Sequence, residues 1–225
     1  MFLRTCSFVT MLLAIASAAL AQGAVRGTVS ILEHPGGITT DLGNVVVYLE
    51  PTSGVRPRAS PTVTSIALQS RQFAPRVRIL AAGSTVVFPN QDPFNHNVFS
   101  KAPQGPFDTE SYGRGKTRQN VFRAAGVYPI YCNVHPRMTA FVIAVNTPYF
   151  APAGNDGQFS ISGVPAGKYR IHIWHDRGGA RVADLVVPAA GLAGLRYELD
   201  ARGYRYVGHK NKFGGEYANA LGDIY

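Results

Sequence analysis

Three observations predict an all-β chain. Short β-branched and aromatic runs recur at regular spacing, Gly, Pro, Asn and Asp separate them, and beyond residue 21 no long segment carries the 3.6-residue apolar period of an amphipathic helix. The runs are "GTVSI", "NVVVYLE", "RVRIL", "STVVFPN", "HNVFS", "GVYPIYC", "AFVIAV", "GQFSI", "KYRIHIWH", "VADLVVP" and "LRYEL". Regularly spaced strands with turn signals between them point to antiparallel β-sandwiches.

Taken in chain order, residues 1–21 read as a secretory signal. Arg4 lies in a short basic region, the apolar run "MLLAIASAAL" follows, and "ALA" precedes Gln22. That run is too short to span a bilayer and ends in small residues, so cleavage is expected after Ala21 and the mature chain in the periplasm or outside the cell. Cys6 lies before the apolar run and leaves with it. No later stretch is long and apolar enough for a membrane helix. Roughly 200 mature residues allow one large or two small domains.

Two linker-like stretches, "PTSGVRPRASPT" (51–62) and "NTPYFAPAGNDG" (146–157), set off a central unit over 62–147. The flanks, 22–61 and 148–200, could form one sandwich into which this unit is inserted. The tail, 201–225, mixes Tyr, Gly and Lys without a period, and the sequence leaves open whether it packs on the sandwich. The formal net charge is +9, about +8 once Arg4 is removed. Export argues against nucleic acid, and no tight basic run marks a membrane anchor. An acidic protein partner is the expectation that survives.

Removing the leader leaves Cys132 as the lone cysteine, in a compartment where paired cysteines become disulfides. It stands in "YCNVHPRM", with His135 and Met138 at three-residue intervals. Alternation along "GVYPIYC" puts Tyr128, Ile130 and Cys132 on one face, and Pro136 stiffens the loop after His135. Upstream, "FNHNVFS" aligns His96 with Phe94 and Val98 on one side. Two imidazoles, a thiolate and a weak thioether form the ligand set of a mononuclear blue-copper site, with a long axial Met. Zinc fits less well, because thioether is not among its usual donors. Haem attachment through "CxxCH" is absent. The competing reading of the loop alone is a buried thiol, a surface imidazole and a core thioether.

"GSTVVFPNQDPFNHNVFS" and "GVYPIYCNVHPRM" resemble the cupredoxins, specifically the plastocyanin- and amicyanin-like proteins, over about residues 62–147. The short C-x2-H-x2-M spacing is most similar to amicyanin. The resemblance implies a Greek-key β-sandwich with one copper ion, His96, Cys132 and His135 as equatorial ligands and Met138 as the axial one. Asn97 resembles the residue that ties the two ligand loops together and hydrogen-bonds toward the thiolate. Tyr131, on the opposite face from Cys132, has two readings: an electron path along the Tyr-Cys bond, or an ordinary strand aromatic. Pro136 and Phe141 are expected at the ligand edge, where His135 is the exit to a redox partner. The unit carries nine basic and three acidic side chains, among them Arg114, Lys116, Arg118 and Arg137. An acidic partner, bound less tightly as salt rises, follows.

In the flanks, "DGQFSISGVPAGKYRIHIWH" and "VRGTVSI…NVVVYLEP" resemble the carboxypeptidase regulatory-like, or prealbumin-like, β-sandwich. Some bacterial proteins with this cupredoxin arrangement are labelled methylamine-utilisation proteins, which implies a redox setting. His172 and His175 fall on opposite faces of one strand and read as sandwich-edge residues. His34 and His209 are isolated. No G-x-S-x-G elbow and no repeated H-x-H pair is present, so catalysis is not expected. The reading is an exported blue-copper electron carrier. The alternatives are a copper-delivery protein and a β-sandwich interaction module with an idle metal site.

Overall fold

Alternating burial is what turns these runs into strands. In "GVYPIYC" Tyr128, Ile130 and Cys132 are buried, and in "GKYRIHIWH" so are Tyr169, Ile171, Ile173 and His175. The structure, a computed structural model, describes residues 22–217. The leader predicted over 1–21 and the last residues of the tail, 218–225, lie outside the described residues. Among the described residues there are seventeen strands and one 3-10 turn, and no α-helix. Among the described residues, no helix is long and apolar enough to cross a membrane.

The strands are β1 (Gln22–Leu32), β2 (Val46–Pro51), β3 (Val63–Ser65), β4 (Ala67–Gln69), β5 (Gln72–Ala74), β6 (Val77–Ala81), β7 (Thr85–Pro89), β8 (His96–Ser100) and β9 (Phe107–Tyr112). Then follow β10 (Thr117–Val121), β11 (Gly126–Cys132), β12 (Thr139–Val145), β13 (Phe150–Pro152), β14 (Gln158–Pro165), β15 (Gly167–His175), β16 (Gly179–Val187) and β17 (Leu192–Asp200). The middle of the chain builds the sheets β10-β7-β3 and β6-β12-β11-β8-β9, with the hairpin β4–β5 beside them. The two flanks interleave in the sheets β14-β1-β17 and β13-β2-β15-β16.

Each pair of sheets encloses its own apolar cluster. One holds Val86, Phe88, Phe122, Tyr128, Ile130, Cys132 and Met138. The other draws Val25, Val29 and Leu49 from one flank and Phe159, Ile171, Ile173 and Leu199 from the other. A third, smaller cluster joins them: Val46, Val77, Ile79, Ile143 and Val145, with Phe141 and Trp174 packed against it at 5.2 Å between ring centroids. The Arg76 guanidinium donates to Asp176 across the same junction at 2.6 Å, and the Asp176 side chain is 1% exposed. A charge so buried depends on its partner.

Three differences from the sequence reading have simple causes. β9 and β10, "FDTESY" and "TRQNV", are polar edge strands whose exposed faces carry no apolar alternation. The stretch 146–157 is not a bare linker, because Phe150–Pro152 pairs with β2 and the neighbouring Tyr149 and Ala153 are buried. β15 is an inner strand between β2 and β16, so His175 is fully buried and is no edge residue. The "DG" turn at 156–157 does need its glycine: Gly157 has φ +77°, and a Cβ there would meet the Val29 carbonyl.

Candidate metal centre

The centre is assembled from a loop before β8 and a loop after β11. The first, residues 90–95, is organised by Asn90, 1% exposed, whose amide donates to the carbonyls of Phe94 (2.9 Å) and Tyr112 (3.1 Å). Its Oδ1 accepts the Asp92 N–H. Asp92 in turn accepts three donors: the N–H of Ser70 at 2.7 Å, the N–H of Arg71 at 3.0 Å and His96 Nε2 at 2.8 Å. Ser70 and Arg71 form the two-residue turn of β4–β5, and both are left-handed, with φ of 53° and 57°. Such a turn favours Asn-Gly. Here the cost is offset by a carboxylate that both amides share.

The Asp92 bond orients the His96 ring. With its proton on Nε2, the imidazole turns a bare Nδ1 toward Cys132, whose Sγ lies 3.5 Å away. On the other side, the chain after Cys132 folds back through two backbone bonds: Met138 N–H to His135 O at 3.1 Å and Cys132 N–H to Met138 O at 3.2 Å. This short closure brings His135 Nδ1 to 3.6 Å from the same sulfur. The three candidate ligand atoms lie within 4.8 Å of one another. Phe94 packs against both rings, at 5.2 Å from His96 and 5.3 Å from His135.

Burial sets the protonation states. His96 is fully buried, and desolvation holds it below its ordinary value against the upward pull of Asp92. It is therefore neutral, with a lone pair to offer. Burial pushes the Cys132 thiol up, opposed by the N–H groups of Asn97, Val134 and His135. The Val134 N–H points at Sγ from 3.4 Å. Burial alone would raise Asp92, yet Arg71, His96 and Ser70 together hold it below the usual carboxylate range.

These residues fit a thiolate-bound metal. Bonds of about 2.0–2.1 Å to imidazole nitrogen and about 2.3 Å to sulfur, opened to about 110–120°, separate N from S by about 3.6–3.8 Å. The observed 3.5 and 3.6 Å are close to that. A metal would also stabilise the thiolate that burial disfavours. Met138, 1% exposed, lies in the same apolar cluster as Cys132. His135 is half-buried and lines a cavity of about 490 Å³ together with Met138, Arg71, Arg76, Arg137 and Tyr206.

No family model matches the chain, and no curated protein matches it. Solved structures do. The chain is similar to a purple cupredoxin from Nitrosopumilus maritimus, at 23% identity over 36% of this chain and 99% of that one, with a TM-score of 0.33. It is similar to amicyanin from Paracoccus versutus at 24% identity, over 44% of this chain and 98% of that one, with a TM-score of 0.34. A copper-containing nitrite reductase (NirK) from Thermus scotoductus SA-01 aligns at 25% identity over 43% of this chain, with a TM-score of 0.36. The chain spans a quarter of the length of that reductase.

Other expected residues fall elsewhere. Asn97 reaches the Cys132 sulfur with its backbone N–H, but its side chain does not bond the 132–138 loop: the side-chain amide donates to Asp108, and the buried Oδ1 meets no partner. Phe141 packs on Trp174 at the junction with Arg76 over its ring, and Phe94 is the aromatic that packs against both imidazoles. Tyr131 is half-buried between Phe99 and His209, the latter stacked on it at 4.4 Å. His209 is therefore not isolated. Arg137 lines the cavity beside His135; Arg114, Lys116 and Arg118 do not, and Arg71 and Arg76 join it instead. Alternation already sets Phe94 on the His96 side, but nothing local marks Arg71 or Arg76.

A second group, Asp41, His175 and Asp176, also has ligand atoms close together. Its chemistry is that of an ion-pair network. His175 Nδ1 accepts the N–H groups of Arg177 and Gly178, so its proton sits on Nε2, where a cation would need a lone pair. Arg177 already pairs with Asp41 and Glu33, and Arg76 with Asp176.

Proposed function

We propose that this chain carries single electrons at one type 1 copper centre, with His96, Cys132 and His135 as equatorial ligands and Met138 as a weak axial donor. The observation that carries the reading is the approach of two imidazole Nδ1 atoms to one buried sulfur, at 3.5 and 3.6 Å, one ring already oriented by Asp92. His₂Cys with a distant thioether is the donor set of an electron-transfer site. Copper bound there supplies one-electron chemistry between Cu(I) and Cu(II).

The protein supplies a frame that does not rearrange. Asp92 holds His96, the backbone N–H groups of Asn97 and Val134 face the sulfur, and the closed 132–138 loop holds His135 and Met138. His135 is the half-buried member of the set and the exit for the electron. Arg71, Arg76 and Arg137 around the adjoining cavity favour an acidic redox protein as partner. In this reading 62–147 is a cupredoxin unit, inserted between the halves (22–61 and 148–200) of a prealbumin-like sandwich that supports it. The predicted leader makes the setting periplasmic or extracellular, and no reaction is catalysed.

The test is to export the protein with copper, oxidise it mildly and record visible and EPR spectra. An intense thiolate-to-copper band with narrow hyperfine splitting, lost in Cys132→Ala, supports the proposal. A colourless, EPR-silent but folded protein refutes it. The cavity opening on His135 and Met138 favours one second reading, copper delivery: ready transfer to an apo-acceptor, with slow electron self-exchange, would replace the first.

A further inference from the structure

After β17 the chain turns back across the ligand loop and bonds to it through Tyr206, Lys212 and Tyr217. Tyr206 Oη donates to the Pro136 carbonyl at 3.3 Å, the Lys212 N–H to Asn133 Oδ1 at 2.7 Å, and Tyr217 Oη to the Cys132 carbonyl at 2.8 Å. The segment is braced by its own turn. Asn211 Oδ1 accepts the N–H groups of Phe213 and Gly215, both at 3.0 Å, and Asn211 Nδ2 donates to the Glu216 carbonyl.

Lys212 reaches both halves of the centre. Its backbone bonds to Asn133, next to Cys132. Its ammonium, on a side chain 17% exposed, donates to Asp108 at 2.7 Å and Glu110 at 2.9 Å. The two acids flank a bulge of β9, where Glu110 has φ 55°, and both turn to the same ammonium. Asp108 also accepts the Asn97 amide, next to His96. A chain of bonds thus runs Asn97–Asp108–Lys212–Asn133, from the neighbour of one ligand to the neighbour of another. Among the described residues, no direct side-chain bond joins Asn97 to the 132–138 loop.

We infer that Lys212 is a positioning residue, a cross-link that adds to the β8–β11 pairing and the Asn97 N–H facing Cys132 Sγ in fixing the His96 segment against the Cys132–Met138 loop. The inference rests on the metal reading for its purpose, but the cross-link itself is a property of the metal-free protein. Losing the ammonium unties Asp108 and Glu110 from the tail, and the ligand loop opens more often. Lys212→Met keeps the stem and removes the charge, Lys212→Arg restores it, and Lys210→Met alters an exposed neighbour as control.

Two readouts test this. In metal-free protein, amide hydrogen exchange at Val134 and Met138 is expected to speed up about tenfold in Lys212→Met and in Asn133→Ala, and to stay near wild type in Lys212→Arg and Lys210→Met. In copper-loaded protein, the hyperfine splitting and reduction potential are expected to move in the same two variants. Exchange within about twofold of wild type in Lys212→Met, or an equal rise in Lys210→Met, overturns the inference. A wild type that forms no blue centre, but shows the expected exchange pattern, removes the copper reading and leaves the cross-link standing.

Discussion

Asp92 holds three donors at once, and removing its acceptors stepwise tests whether it builds the centre. In Asp92→Asn the amide oxygen does best at the Oδ2 position, keeping the Arg71 N–H and His96 Nε2 and turning its own NH₂ toward the Ser70 N–H. One backbone donor is orphaned, and His96 loses the charge on its partner. Hydrogen bonds to charged groups contribute about 1.5–3 kcal/mol, so the metal-free protein should lose about that much stability. Loss of a carboxylate behind a ligating histidine costs about 10–100-fold in metal affinity, and the retained amide bond puts Asp92→Asn near the low end. Asp92→Ala orphans all three donors and leaves the left-handed Ser70–Arg71 turn without its acceptor. Its loss should approach about 100-fold, or about 2.7 kcal/mol. Competition titration against a chelator gives the affinities, and thermal unfolding of metal-free protein gives the stabilities. Affinity in Asp92→Asn within about twofold of wild type, or no difference between the two variants, would refute the reasoning.

Two further outcomes follow from charges elsewhere. Arg177 hydrogen bonds hold Glu33 below its ordinary value, and they hold Asp41 down against burial that would raise it. A lowered carboxylate contributes stability that is present above its unfolded pKa, about 4, and lost as pH falls through the folded value. Arg177→Gln should therefore cost about 2–4 kcal/mol at pH 7, a gap that narrows below about pH 4 in denaturant titrations; a gap constant with pH would count against the network. For the partner, electron exchange with an acidic protein should slow as ionic strength exceeds about 0.1 M, where the Debye length is about 10 Å. Arg137→Glu should slow it at low salt. Stopped-flow rates indifferent to both changes would exclude an acidic partner.

Much of the centre could be read locally because its spacing is local. Cys132, His135 and Met138 fall within one seven-residue loop, closed by its own backbone bonds, and His96 begins a strand that is buried along its whole length. What surrounds them could not be read so. Asp92 is four residues from His96, but its other two donors come from a turn some twenty residues earlier, made by Ser70 and Arg71 where Asn-Gly would have been the visible signal. Asn97 looked like the tie between the ligand loops, yet its amide went to Asp108 because β9 pairs alongside β8. β9 itself was invisible, being a polar edge.

By itself the sequence determined the β class and the strands with an apolar face, because side-chain alternation and turn chemistry act over a few residues. It also held the candidate donors of the proposed centre, because the Cys132 thiol, the His135 imidazole and the Met138 thioether stand at fixed spacing in one short loop. Tertiary structure decided what depends on distant segments meeting. It brought the two imidazoles to the buried sulfur, gathered Arg71 and Arg76 around His135, and laid Lys212 between Asp108 and Asn133. Pairings between groups tens of residues apart leave no local period, so only the folded chain contains them.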